Sequence, residues 1–349
     1  MAITEFTIEH KATTIHLEWD VRDFVKDSIT WTTTKDYSAG ELSFNLKLPL
    51  EDVGTFNVTN GDIVRFQWDG VQVFYGRIFK WEIGEDYVAS CSAYDNLRFL
   101  KGEDTIVFPV STGTERFERI MKTLELKYNN ANLAIAKLDA KVFDGETYFS
   151  MLQDALDQTN KITTDGDFFL RAVWDTIELK QVYSTGTTLV IESGGLLSQW
   201  NYQQSAEELY NFVKVVKDTT SSDEKDETRK TFSTTEAQAG DSLVHYGRLS
   251  KIEKADKDMN DAQMRDKANQ LLADLNKEDR TLSLTAAGTF HSGNLNVRAG
   301  DRFTVKIDYP LISYQYNQAS EVEVLAEKVV HHFSDNWLMD LDCRILKGG

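Results

Sequence analysis

Residues 54–62 read GTFNVTNGD, and residues 293–301 read GNLNVRAGD. Both stretches fit one pattern, Gly-x-Phe/Leu-Asn-Val-x-x-Gly-Asp. The closing Gly-Asp pair suits a tight turn, because glycine tolerates a positive φ and an aspartate carboxylate accepts hydrogen bonds from nearby backbone. The candidate structural turn residues are Gly54, Asn57, Gly61 and Asp62 in the first copy and Gly293, Asn296, Gly300 and Asp301 in the second. The sequence therefore predicts one turn that is built twice.

The segments around the two copies follow one another in the same order. They alternate apolar and polar residues, which is typical of half-buried strands. Around the first copy these segments are ELSFNLKL (41–48), IVRFQW (63–68), VQVFYGRIFKWEI (71–83) and DYVASCSAY (86–94), and around the second they are RTLSLTAA (280–287), RFTVKI (302–307), EVEVLAEKVVHHF (321–333) and NWLMDLDCRI (336–345). The second copy has an insertion at 308–320 where the first has an Asp69-Gly70 turn. We interpret the whole strand–turn–strand–strand–strand unit as an internal duplication.

The pattern changes between the two copies. Apolar residues at helical spacing predict three helices, over 114–128, 146–160 and 261–278. Two of these helices are preceded by a capping box, formed by Thr112 with Glu115 and by Asn260 with Gln263.

Two further segments have a recognisable character. Residues 167–182, DFFLRAVWDTIELKQV, predict a hairpin that turns near Asp175, so that roughly 106–185 is a compact α+β insert. Residues 218–230, DTTSSDEKDETRK, are almost all polar and predict a solvated loop or hairpin tip.

Length and composition limit the possible classes of protein. A chain of 349 residues favours two or three domains. The net charge of −18 disfavours a basic groove for nucleic acid, because acidic side chains repel phosphates. We expect no signal peptide and no membrane span, since no long apolar run occurs. The two cysteines, Cys91 and Cys343, are too few for a disulfide framework or a cysteine-rich metal site.

No catalytic or metal-binding motif stands out in the sequence. His331 and His332 are neighbours in a predicted strand, so their side chains should point to opposite faces, one inward and one outward. Asp256, Asp258 and Asn260 resemble the first ligands of an EF-hand loop, but the required later glycine and glutamate are absent. We therefore expect no catalytic residue, no metal and no cofactor.

The order of segments resembles one known family. The resemblance is carried by VFYGRIFKWEI and YVASCSAYDNLRFL (within 73–100), DFFLRAVWDTIELK (167–180), IESGGLLSQWNYQQSAEELYNFVKVV (191–216), YGRLSKIEKAD (246–256), ANQLLADLNKEDRTLSLTAAG (268–288) and VRAGDRFTV (297–305). Together they resemble the XkdQ/YqbQ-type baseplate hub proteins of contractile phage tails and phage-tail-like bacteriocins, relatives of late control protein D and T4 gp27-like hubs. The resemblance covers nearly the full chain and depends on the order of weak motifs.

This resemblance implies a fold and a division into domains. The fold is mainly β with an α+β insert, and it contains two tail-tube-like antiparallel β-barrel domains related by the internal duplication. The first barrel is expected at 1–105, the insert at 106–185, a return segment completing the first barrel at 186–217, and the second barrel at 218–349 with one helix at about 261–278.

The resemblance also implies an assembly. Such hubs form homotrimeric, pseudo-hexameric rings that join a six-fold tail tube to a three-fold central spike. The expected partners are two further copies, the tail tube protein and the central spike protein, with contacts to the tape measure and baseplate wedge proteins also allowed. The expected location is the baseplate of a virion or tailocin, after assembly in the cytoplasm of the bacterial host. Because the chain is acidic, we also hypothesise that carboxylates partly line the channel.

Two other functions are kept as alternatives. One is a cell-wall hydrolase of the tail tip, although the sequence shows no catalytic motif for it. The other is a carbohydrate-binding module, in which Trp68, Trp81 and Trp337 would stack on sugars. Tryptophans in alternating strands more often pack into the core.

Overall fold

Alternation of apolar and polar side chains creates the strands of the N-terminal part, as in Glu41–Lys47, where Leu42, Phe44 and Leu46 are buried.

The computed structural model describes residues 2–12, 14–48, 58–130, 132–163, 167–182, 189–218, 232–255, 258–291, 294–295, 297–308 and 320–348. The strands before the insert are β1 (Ile3–Lys11), β2 (His16–Asp20), β3 (Val25–Thr34), β4 (Glu41–Lys47), β5 (Ile63–Trp68), β6 (Val71–Ile83) and β7 (Val88–Asp95). The 3-10 helix Arg22–Phe24 precedes β3, and Asn96–Lys101 follows β7.

The insert combines short strands with two helices. Its elements are β8 (Glu103–Phe108), β9 (Ser111–Thr112), α1 (Gly113–Thr123), β10 (Tyr128–Asn129), β11 (Lys137–Leu138), β12 (Lys141–Thr147), α2 (Tyr148–Ile162), β13 (Phe168–Val173) and β14 (Thr176–Gln181). One face of each helix is buried in a common core, with Phe117 and Met121 from α1 and Leu152 and Leu156 from α2. The predicted α+β character of this segment is confirmed.

The remaining elements lead out of the insert and back to the second copy of the turn. They are β15 (Val190–Glu192), β16 (Leu197–Ser205), β17 (Phe212–Asp218), β18 (Phe232–Gln238), α3 (Gly240–Tyr246), β19 (Ser250–Lys254), α4 (Asp261–Leu275), β20 (Asp279–Ala287), β21 (Phe290–His291), β22 (Asn294–Leu295), β23 (Arg302–Ile307), β24 (Ser320–Phe333) and β25 (Leu338–Gly348). The prediction of a mainly β chain is therefore confirmed.

The chain divides into two compact units, residues 1–201 with 282–349 and residues 202–281. In the first unit, the main sheet has the strand order β16-β20-β25-β24-β3-β4-β7-β6-β5-β1-β2, and β23 pairs with both β24 and β15. In the second unit, β17 lies between β18 and β19, and α4 packs Met264 and Ala268 against Val213 and Val215. The four-part domain division drawn from the sequence stays a prediction.

The return segment differs from its prediction. The sequence predicts that 186–217 completes the first barrel, but β15 pairs in parallel with β23, and β16 lies beside β20. Both partners belong to the second copy of the strand unit. A strand shows its own burial pattern in the sequence but not its partner, and this is why the assignment went to the wrong half.

The helices follow their predicted caps closely. The Thr112–Glu115 box is present, with Glu115 N donating to Thr112 Oγ1 at 3.1 Å and Thr112 N donating to Glu115 Oε2 at 2.7 Å. The Asn260–Gln263 box is present as well. Helix α3 was not predicted, because it has no apolar stripe and buries none of its residues. The predicted segments 218–230 and 308–320 lie almost wholly outside the described residues.

Replacing Thr112 with Ala should lower the free energy of unfolding by about 1 kcal/mol, because Glu115 N loses its acceptor at the start of α1. Urea unfolding followed by tryptophan fluorescence measures this. Thr123→Ala, at the other end of the same helix, is the matched control and should change the stability by less than about 0.5 kcal/mol. Equal losses in both variants would contradict the role of the cap.

Candidate assembly interface

The two copies of the turn make the same internal hydrogen bonds. In the first, Thr59 N donates to Asp62 Oδ2 at 2.8 Å and Asp62 N donates to Thr59 O at 3.3 Å. In the second, Arg298 N donates to Asp301 Oδ2 at 2.8 Å and Asp301 N donates to Arg298 O at 3.0 Å. Each aspartate thus closes its own turn, whichever residue stands at the first position.

Both turns dock onto a long strand in the same way. Gly61 N donates to Ile78 O at 2.7 Å and Ile78 N donates to Asp62 O at 2.9 Å. Gly300 N donates to Ala326 O at 2.7 Å and Ala326 N donates to Asp301 O at 2.9 Å. The φ angles of the glycines are +96° and +88°. Ile78 of β6 therefore corresponds to Ala326 of β24.

The same irregularity follows each docking point. The pairing of β6 with β7 shifts between Ile78 and Lys80, and the pairing of β24 with β25 shifts between Ala326 and Lys328. A β-bulge adds one residue and bends its strand. Beyond the bulge, Lys80–Ile83 therefore corresponds to Lys328–His331.

Each buried aspartate has a partner from outside its turn. Asp62 bonds to His10 Nδ1 of β1 at 2.7 Å, and Asp301 accepts from Arg171 Nη2 of β13 at 2.7 Å. Arg171 is itself buried, and the same nitrogen donates to Ala299 O at 2.7 Å. An unpaired buried carboxylate would be strongly destabilising, so these partners stabilise the turns.

Half of the predicted turn residues are described by the structure. Gly61, Asp62, Gly300 and Asp301 lie in the geometry given above. Gly54, Asn57, Gly293 and Asn296 lie outside the described residues.

The strands around the two turns share one order in the sheet. The first half runs β4-β7-β6-β5, and the second runs β20-β25-β24 with β23 next to β24. Outside these sets lie β3 next to β4 and β16 next to β20. The halves differ beyond β5 and β23, because β1 pairs antiparallel with β5 whereas β15 pairs in parallel with β23.

The two halves meet where β24 pairs with β3. We call this pairing the seam. Its register runs antiparallel from Lys328 opposite Thr34 to Phe333 opposite Ile29. The N-terminal part of β24 pairs instead with β23, so the long strand changes neighbour at its bulge. One continuous sheet results from the two halves.

His331 is completely buried at the seam. Its Nε2 bonds to Val297 O at 3.0 Å, and its Nδ1 bonds to Trp337 Nε1 at 3.3 Å. A carbonyl only accepts and an indole N–H only donates, so the imidazole is neutral with its proton on Nε2. Its ring stacks on Trp31 with centroids 5.3 Å apart. Burial lowers the pKa of His331 to about 3.

Charged groups surround the second turn at the seam. The Arg298 guanidinium lies 4.9 Å from the centroid of the Trp31 ring, and burial lowers its pKa to about 10, with Arg171 adding to the effect. Asp95 accepts from Gly40 N and Leu97 N, both at 3.0 Å, and burial raises the pKa of its carboxyl to about 7. The seam therefore contains polar groups as well as the apolar surface of a sheet core.

The sequence predicts one inward and one outward histidine, and this is confirmed. His332 is partly exposed and bonds to Asp340 at 2.9 Å. The roles of Arg171, Arg298 and Asp95 were missed. The available signal for Arg171 was a charge inside the apolar run FFLRAV, which marks a buried ion pair. Nothing local marks Arg298, since the first copy has Thr59 at that position.

The described residues give little support to the alternative sites. Trp68 and Trp337 are buried in the core, and Trp81 packs against the same core, so these rings do not form an open sugar platform. Within the described ranges, no group of three or more His, Cys, Asp or Glu residues could hold a metal ion. No helix in the part of the chain that the structure describes is long and apolar enough to cross a membrane.

A model of the YqbQ-like family matches residues 29–344. The chain therefore belongs to the YqbQ-like family. Two relatives come from Bacillus subtilis strain 168. Protein YqbQ is 27% identical over 219 residues, 61% of this chain and 63% of the relative. The phage-like element PBSX protein XkdQ is 26% identical over 223 residues, 63% of this chain and 65% of the relative. The matches thus span 63–65% of the length of these curated relatives.

Solved structures share the fold at low sequence identity. The 43 kDa tail protein of prophage MuSo2 from Shewanella oneidensis is 13% identical, with a TM-score of 0.65 over 97% of this chain and 98% of that one. Prophage tail protein gp18 from Listeria monocytogenes is 13% identical, with a TM-score of 0.60 over 97% and 94%. A chain of the Francisella PdpA–VgrG complex is 9% identical, with a TM-score of 0.57 over 98% and 58%.

Gly61→Ala and Gly300→Ala should destabilise the protein by different amounts. A Cβ at Gly61 meets no atom within 4 Å, so its cost is the backbone strain of a positive φ, about 1–3 kcal/mol. A Cβ at Gly300 would lie 2.3 Å from the Phe169 ring, which adds about 1–3 kcal/mol of overpacking. Urea unfolding compares the two, with Gly240→Ala as a control of open space and ordinary φ. Equal losses at Gly61 and Gly300 would contradict this geometry.

His331 should make the protein sensitive to acid. Its folded pKa, about 3, lies below the ordinary 6.5, so between these values the unfolded chain binds a proton that the folded chain does not, and stability falls as pH falls. His331→Phe should therefore flatten the dependence of the unfolding free energy on pH between 7 and 5, by up to about 1.4 kcal/mol per pH unit. His332→Gln is the control. An unchanged slope in His331→Phe would contradict the buried neutral state.

Proposed function

We propose that this chain is the structural baseplate hub of a contractile tail or tailocin, where it forms a homotrimeric, pseudo-hexameric ring. In this role it joins the six-fold tail tube to the three-fold central spike. The observation that carries the proposal is that two halves with the same strand order and the same docked turn lie side by side in one sheet. Three such chains present six similar positions around an axis.

The proposal includes an internal duplication and two tube-like barrels. The first barrel would lie within about 1–105. The second would use 282–349 with the strands of the return segment, since β15 and β16 lie beside β23 and β20. Equal bulges, equal turns and equal strand order support the duplication, because an independent origin would have to reproduce each of them.

Elements that occur once per chain would provide the three-fold character. The insert 106–185 follows only the first half, and the unit 202–281 lies only within the second. In a trimer, the insert and the unit 202–281 would each occur three times, whereas the strand set that the two halves share would occur six times. This arrangement suits a partner of each symmetry: a tail tube protein on one side and a central spike protein on the other. Tape measure and baseplate wedge proteins are further proposed partners.

One face of the sheet suits the wall of a channel. In the first half it is lined by Ser43, Asn45, Ser90 and Ser92, and in the second by Ser283, Thr285, Asp340 and Asp342. The hypothesis of an acidic channel has support in both halves. The surface in the first half also includes Asp27 and Glu82, beside Lys80. In the second half, Asp340 and Asp342 stand in place of Ser90 and Ser92. Such a face would present carboxylates from both halves around the axis.

The names of the similar proteins agree with a role in a tail. XkdQ is a protein of the phage-like element PBSX, and the proteins from Shewanella and Listeria are prophage tail proteins. The alternatives remain a tail-tip cell-wall hydrolase or a carbohydrate-binding module. A peptidoglycan zymogram and a glycan array test them directly.

The decisive experiment is a cryo-electron microscopy reconstruction of the assembled tail, or of this chain bound to its spike. We expect three copies around the axis, each contributing both halves of its main sheet to the ring. Native mass spectrometry of the complex should give the same count. One copy or six copies per particle would contradict the hub. Peptidoglycan cleavage that a point substitution abolishes would favour the hydrolase.

A further inference from the structure

The seam shows how the two halves of the main sheet bind to each other. The part of β24 beyond its bulge pairs with β3, and β3 in turn pairs with β4 of the other half. The contact is a main-chain ladder between one long strand and one flanking strand. Because the two halves are alike, each half should offer the same kind of edge.

The counterpart of the β24 edge lies in β6. The N-terminal part of β6 pairs with β5 as far as Arg77, and the bulge follows. Beyond it, Lys80–Ile83 pairs with β7, and no strand among the described residues pairs with its other side. Ile83 is 44% exposed, whereas the corresponding His331 is fully buried by the seam. This edge therefore has the shape of one side of a seam without its partner.

The counterpart of the β3 edge is β16, the last strand in the order on that side of the sheet. Ala287 N donates to Leu196 O and Ser198 Oγ donates to Thr285 O, both at 2.8 Å. Antiparallel pairing in this register places Asn201 opposite Leu282. In the first half, Leu42 stands at the position of Leu282, and Trp31 lies opposite Leu42. Asn201 thus corresponds to Trp31.

The composition of β16 is unusual for an exposed edge. Edge strands commonly carry charges or proline, which prevent pairing with other chains. Leu197–Ser205 contains neither, in a protein with 27% charged residues. The strand at the opposite end of the order, β2, is short and contains Glu18 and Asp20. Only the β16 end therefore lacks protection against pairing. Ser28–Thr34 of β3, which is paired at the seam, is also free of charge.

We infer that the proposed ring closes by pairing of Lys80–Ile83 of one copy with Asn201–Gln204 of the next copy. This inference rests on the proposed trimer and assigns its contact. The pairing is antiparallel and repeats the seam. Since His331 lies opposite Trp31 at the seam, Ile83 lies opposite Asn201 at the contact between copies. The interface is head-to-tail, the type of contact by which identical copies close a ring, here the proposed trimer.

Engineered disulfides test this register. Chains with Ile83→Cys and chains with Asn201→Cys, mixed and oxidised, should give a covalent dimer, and the double variant should give a covalent trimer. Directly opposite residues have Cα atoms about 4.5–5.5 Å apart, within the range of a disulfide. The native cysteines should stay inert, because both are buried, and burial raises the pKa of Cys91 to about 12 and that of Cys343 further.

Matched controls make either result informative. Thr32→Cys with Val330→Cys, opposite each other at the seam, should form a disulfide within one chain. Ile83→Cys with Gln199→Cys is shifted by two residues and should not cross-link. A bond at 83/199 instead of 83/201 would overturn the register, and no bond between chains in either pair would overturn the edge assignment. Native mass of the wild-type complex is read separately, so a trimer without the cross-link would leave the hub proposal standing.

Discussion

The pairing of β24 with β3 is the contact on which the organisation of the main sheet depends. Without it, the two halves would be separate sheets, joined only by the chain and by side chains of a common core such as Phe66 and Phe333. The docked turn and the bulge support this pairing, because they direct the end of the long strand away from β23 and towards β3. Buried polar groups then fit around the contact, and His331 and Asp301 each have specific partners there. A general apolar surface would not specify one register in this way.

The structure combines repetition with asymmetry, and each has its own physical basis. Repetition lies in main-chain features: a glycine with positive φ, an aspartate that closes a turn, and a bulge at the same place in two strands. Asymmetry lies in side chains, since His10 bonds to Asp62 whereas Arg171 bonds to Asp301. The arginine comes from the insert, so the second turn depends on the insert, whereas the first turn depends on β1. The two halves therefore differ in these side chains while sharing one backbone pattern.

Local features were predicted well from the sequence, and distant ones were not. Alternation identified the strands around each turn, and the capping residues located α1 and α4, because these signals involve neighbours in the chain. The seam joins Thr34 to Lys328, and no local pattern shows that pairing. For the same reason β15 and β16 were assigned to the wrong half. Arg171 could have been suspected from its apolar surroundings, but its partner could not be identified before the fold was known.

The seam also has a consequence for how the chain is made. Its two strands lie at opposite ends of the sequence, so β3 and β4 leave the ribosome long before β24 exists. At ~5–20 residues per second, Lys328 follows Thr34 by roughly 15–60 s. During that interval the uncharged edge of β3 has no native partner and is a template for pairing between nascent chains. Translation speed and chaperone binding at the N-terminal part should therefore govern the yield of folded protein more strongly than its final stability does.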